Sequence, residues 1–91
     1  MPSTAAAESR LRELGVDPMT WSNAPGARYG AHEHGYSKLL ICAVGSITFL
    51  IGDDETPVDL AAGDGFELPP DTRHAAIVGA QGCTCVEGHR R

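Results

Sequence analysis

Four side chains in this 91-residue chain have the types and spacing to do chemistry together: His32, His34, Lys38 and His74. On an extended strand, residues two apart project from the same face, so His32 and His34 can bring both imidazoles to one ion while Glu33 points away. A His-x-His pair alone is a weak signal. His74 strengthens it, because it opens a later predicted strand directly after the stiff turn Pro69-Pro70-Asp71, where a closed barrel would carry it across to the first pair. Three neutral imidazoles with coordination positions left open describe a reactive centre rather than a closed structural one. The expected cofactor is one divalent transition metal ion, with Zn, Fe, Ni, Mn and Cu all compatible with such ligands. Lys38 shares strand parity with Leu40 and Cys42 and is expected to point into the barrel. Arg28 shares the parity of His32 and His34 and is the second candidate for contact with a bound ligand. The bland alternatives are a Lys38 that runs along apolar surface to water and an Arg28 solvated at a strand edge.

These residues need elements to hold them, and the composition says which kind. The chain is 42% hydrophobic but carries 11 glycines and 6 prolines, a pattern of many short elements that favours an all-β barrel over a helical bundle. Residues 4–14 read as a short helix: Ser3 or Thr4 can cap it, Ala5 to Ala7 favour it, Leu11 and Leu14 give it a partial apolar stripe, and Gly15 ends it. Met19 to Ser22 is predicted as an edge strand. From Arg28 onward the period is two, with strands predicted at 28–34, 37–44, 46–51, 56–60, 65–68, 74–78 and 83–87. Turns are expected at Gly52-Asp53-Asp54-Glu55 and Ala62-Gly63-Asp64-Gly65, both read as hairpins, at Pro69-Pro70-Asp71, and at Gly79-Ala80-Gln81-Gly82. The expected organisation is a helix and lead-in over 1–18 and a single antiparallel barrel over 19–91, with no internal repeat.

Twelve acidic residues against seven basic ones give a formal charge of −5, and the basic residues are scattered. No basic stripe follows a phosphate backbone, so nucleic acid is not an expected partner. The longest apolar run, Leu39 to Val44, is too short to span a bilayer, so no membrane partner is expected either. The first residues lack the apolar core of an export signal. Three cysteines cannot all pair within one chain, and they read as reduced thiols, so the expected location is the cytoplasm. Cys83 and Cys85 share a strand face and with His89 suggest a second metal site, but two small buried side chains explain them more simply, and Cys42 reads as core. Tyr36 and Phe66 are candidates to line or fill the barrel. Trp21 is expected on an outer strand, free for a dimer contact, and His89-Arg90-Arg91 as a frayed end. A barrel this small leaves edge strands exposed, so a homodimer is expected.

Two stretches carry a resemblance. Gly26, five residues, His32, one residue, His34, three residues, position 38, six residues and Gly45 resemble the first cupin motif, and Gly63 through Pro69, Asp71 and His74 to Val78 resemble the second. Together they span residues 26–78, most of the chain, so the sequence is identified as similar to small single-domain cupins. The resemblance implies an antiparallel jelly-roll β-barrel with His32, His34 and His74 as metal ligands. Three positions depart from it. Asp71 stands at a usual glycine and tolerates a positive φ. Val78 stands at a usual asparagine and affects local hydrogen bonding. Lys38 stands where the family places a ligating glutamate, and its ammonium must turn away, lose its proton or pair with an anion. Without that carboxylate the ion keeps its full charge, which favours anionic partners.

The sequence therefore predicts a metal-binding barrel that acts on or binds a small anionic molecule. As an enzyme it would be, by the resemblance, a metal-dependent dioxygenase, isomerase or lyase; the alternative is a non-catalytic module that binds a small molecule or a metal. A barrel with a vestigial site is the third reading. No general base beyond the three histidines is recognisable.

Overall fold

The computed structural model describes residues 4–90; Ser3, one of the candidate caps, and Arg91 lie outside them. One helix, α1 (Thr4–Glu13), precedes six strands: β1 (Met19–Asn23), β2 (Arg28–His32), β3 (Ser37–Ile51), β4 (Thr56–Ala61), β5 (Gly65–Leu68) and β6 (His74–Arg90). All strand pairs are antiparallel.

The architecture follows from two long strands that bend. β3 and β6 pair along almost their whole length, but the register shifts between Cys42 and Val44 and again between Gly45 and Ile47. The first shift leaves Ala43 of β3 as an extra residue and the second sets residues 79–82 of β6 against Ser46 alone, and both sharpen the twist and turn the strands. Ser37–Cys42 therefore joins one sheet with β1, β5 and the end of β6, while Ile47–Ile51 joins another with β2, β4 and the start of β6. The two sheets face each other as the walls of a jelly-roll, as the sequence leads one to expect.

The bend also switches side-chain parity. In β3 the buried inward residues are Leu40 and Cys42 before the bulge and Ile47 and Phe49 after it; in β6 they are His74, Ala76 and Val78, then Cys83 and Cys85. These side chains with Leu60 form the main core. A second cluster lies on the outer face of the first sheet, where Ala7 and Leu11 of α1 pack with Val16, Leu39, Ala43 and Val86. Gly45 has a φ of 75°, and an added Cβ there would run into the Gly82 carbonyl, so the bend needs glycine.

Three expectations need correction. The pairs 37–44 and 46–51, and 74–78 and 83–87, are each a single bent strand; Gly79-Ala80-Gln81-Gly82 continues β6, because β3 supplies it with partners on both sides of the bend. The turn at 62–64 is not a hairpin. β4 and β5 both pair with β3 and not with each other, so it carries the chain from one sheet to the other, tied down by bonds between the Cys42 backbone and Gly63 and Asp64. Residues 89–90 are not frayed, since Lys38 pairs with His89 and Ser37 with Arg90 in the ladder. The Gly52–Glu55 hairpin and the helix stand where they are expected. No helix among the described residues is long and apolar enough to cross a membrane.

Candidate metal centre

β2 and β6 bring His32 and His74 together as direct cross-strand partners, with ring centroids 4.2 Å apart. His34 lies just past the end of β2, which stops at His32 rather than at 34. Its backbone is held instead by the turn ahead of β6, where the Asp71 N–H donates to the His34 carbonyl at 2.6 Å. Asp71 itself takes a φ of 57°, the left-handed conformation expected of it in place of glycine. The His34 ring sits 4.8 Å from that of His32 and 5.3 Å from that of His74. One candidate ligand nitrogen from each histidine lies within 4.8 Å of the others.

Hydrogen bonding decides which nitrogens face the centre. His32 Nδ1 lies 2.8 Å from the Gly30 carbonyl and His74 Nδ1 lies 2.9 Å from the Thr72 carbonyl. A carbonyl only accepts, so Nδ1 carries the proton in both rings and Nε2 presents a lone pair, the tautomer a metal ligand requires. The Nε2 atoms of His34 and His74 are buried without a hydrogen-bond partner. Leaving such an atom unsatisfied costs about 1–3 kcal/mol. A cation between the rings would satisfy both, so the residues present fit a metal ion.

Electrostatics agree. Burial holds the His34 imidazole below its ordinary value, reinforced by the Lys38 ammonium and the two neighbouring imidazoles. Burial does the same for His74, opposed by its bond to Thr72 and aided by His32 and Lys38. Rings that resist protonation are rings ready to ligate.

Beside the histidines opens a cavity of about 240 Å³. Lys38 lines it, as its parity predicts. Arg28 does not: it is exposed at the start of β2, and the register shift between Tyr29 and His32 breaks the shared parity, putting Tyr29 on the cavity wall instead. Trp21 is not a free outer aromatic either; it lines the cavity, and its indole N–H donates to Glu87 at 2.6 Å. Phe66 packs against the core beside Phe49, and Tyr36 stacks between His34 and His89.

Glu87 is the cavity residue that the sequence does not single out. It is buried, lines the cavity, accepts from Trp21 and from His89 Nε2 at 2.7 Å, and lies 3.6 Å from Lys38 Nζ. The signal was present, since Glu87 follows Cys83 and Cys85 at period two on the same inward face. Those cysteines are free and buried with Cys42, and burial pushes all three thiols up, so they behave as core. His89 bonds to Glu87 rather than joining them.

Residues 21–85 match the sequence profile of the AraC-like ligand binding domain. The chain belongs to this family. AraC-like ligand-binding domains are cupin-like, and solved structures agree with that fold. The domain superposes on an RmlC-like cupin from Shewanella frigidimarina with a TM-score of 0.71 and 23% identity, over 82% of this chain and 65% of that one. It superposes on the DMSP lyase DddQ from Ruegeria pomeroyi with a TM-score of 0.73 and 20% identity, over 81% and 37%. Drosophila melanogaster CENP-C, solved bound to CAL1, gives 0.72 and 13% identity over 79% and 62%. The domain thus spans less than two thirds of the length of each of these chains. No curated protein matches it.

Proposed function

We propose that this AraC-like ligand-binding domain holds one divalent transition metal ion through Nε2 of His32, His34 and His74, and presents it to a small anionic molecule in the adjoining cavity. The observation that carries this reading is the pair of buried, partnerless Nε2 atoms on His34 and His74, beside a His32 whose Nδ1 proton is already committed. Zn, Fe, Ni, Mn and Cu all suit three imidazoles. When bound, the ion supplies positive charge and Lewis acidity. Three neutral ligands leave that charge uncompensated, and Lys38 adds another, which supports an anionic partner. At about 240 Å³ the cavity is smaller than drug-binding clefts, so the ligand is a small molecule.

Elemental analysis of purified protein tests the reading. We expect one transition metal ion per chain in the wild type and a loss of at least tenfold in His34→Ala with the fold retained. Equal metal content in the two proteins, or none in either, overturns it. Whether the domain also turns its ligand over is read by oxygen uptake and product analysis on the metal-loaded protein. The family match favours the non-catalytic reading, a module that binds without converting. Three cysteines that are buried and not paired with one another support a cytoplasmic location. The exposed Met19 and Val44, together with the edge strands β1 and β4, support a homodimer.

A further inference from the structure

Outside the three histidines, the cavity holds one cluster of charged side chains, and its hydrogen bonding is unequal. Glu87 is well satisfied: Oε1 accepts from the Trp21 indole at 2.6 Å and Oε2 from His89 Nε2 at 2.7 Å. Lys38 is not. Its Nζ lies 3.6 Å from Glu87 Oε2, an ion pair too long for a good hydrogen bond, although the side chain is only 14% exposed. An ammonium has three donors and no acceptor, so a nearly buried one with a single loose counter-ion keeps donors free to face the cavity. It lines the same cavity as His32 and His74. Much of the remaining wall is apolar, from Tyr29, Leu40, Ile47, Phe49 and Ala76.

From this asymmetry we propose that Lys38 is a carboxylate receptor and Glu87 its resident counter-ion, displaced from Lys38 when the carboxylate of a short, apolar-bodied acid enters the cavity. Glu87 loses little in the exchange, because its two short bonds are to Trp21 and His89 and stay in place. An ammonium paired with a ligand oxygen at hydrogen-bond distance is better served than one paired at 3.6 Å. The apolar wall takes the body of the acid. Lys38 thereby becomes a specificity determinant for negative charge. The inference rests on the proposed function in placing the ligand beside the three histidines, but it does not require the metal.

The chain has a single tryptophan, and it lines the cavity and touches Glu87, so its fluorescence reports occupancy directly. The experiment titrates chelator-treated protein with isovalerate and with its uncharged isostere isovaleramide. We expect the wild type to bind the acid at least tenfold more tightly than the amide. Lys38→Met removes the receptor and should bring the ratio to about one. Lys38→Arg retains the charge and should retain a preference for the acid. Glu87→Gln keeps an acceptor for Trp21 but no competing charge, and should tighten isovalerate severalfold while leaving isovaleramide unchanged. Equal affinity of wild type for acid and amide, a preference that survives Lys38→Met, or weaker acid binding in Glu87→Gln overturns the proposal. The wild-type ratio decides by itself if a variant does not fold. Failure here with metal binding intact leaves the three-histidine centre standing, and loss of metal binding with the acid preference intact leaves the receptor standing.

Discussion

A buried ring nitrogen without a hydrogen-bond partner is an unusual thing for a fold to keep, and the described residues include two, on His34 and His74. Their pH behaviour follows from burial. Each ring is held below its ordinary value of 6.5, so in the metal-free protein the unfolded chain takes up the proton first. Stability is therefore full above about 6.5 and declines as the pH falls toward the folded-state values. Thermal melts of chelated protein from about pH 7 to about pH 5 should show a falling Tm, with a shallower slope in His74→Asn. A flat profile in the wild type would contradict the burial of these rings. Glu87 matters for a different reason. Glu87→Ala leaves the Trp21 and His89 donors without their acceptor and Lys38 without a counter-ion inside the barrel, and the loss of a buried partner of this kind costs about 3 kcal/mol. Urea melts should show that loss in the midpoint with little change in slope.

The elements position these residues through bends rather than through loops. Both long strands change parity at their bulges, which is why even-numbered residues of β3 face the cavity at Lys38 and Leu40 and odd-numbered ones at Ile47 and Phe49. Gly45 sits at the bend of β3 directly against Gly82 of β6, with a φ of 75°. Gly45→Ala should destabilise the domain by about 2–4 kcal/mol, since it adds both an unfavourable backbone conformation and a clash with a neighbouring carbonyl. Gly30→Ala meets open space and serves as the control, with an expected change within about 0.5 kcal/mol in the same denaturation series. The turn at Asp71 is the other positioning device, because it both directs β6 toward His74 and holds the backbone of His34.

At the scale of the molecule, a metal that binds only the folded chain stabilises it by mass action. At a free metal concentration of 100 times Kd the gain is about 2.7 kcal/mol, which for a domain of this size raises Tm by on the order of 10 °C. Melts with added zinc against chelator should show that rise in the wild type and not in His34→Ala. Light scattering should return the mass of two 9.6 kDa chains, and Met19→Asp, on the exposed edge strand β1, should shift it toward one.

The barrel, the short helix and the three histidines were all legible in the chain because each rests on a local signal. Period-two alternation marks strands, glycine and proline mark their ends, and the spacing from Gly26 to Gly45 and from Gly63 to His74 brings the imidazoles into two recognisable frames. Parity is also local, but it holds only while a strand runs without a bulge. It placed Lys38 correctly, because β3 is regular from Ser37 to Cys42, and it misplaced Arg28, because β2 slips between Tyr29 and His32. The ion pair of Lys38 with Glu87, and the turning inward of Trp21, join residues that lie 49 and 66 positions apart from Glu87 in the chain. Only the pairing of β6 with both β3 and β1 decides such contacts, since it is the closed sheet, not any stretch of sequence, that brings their side chains into one cavity.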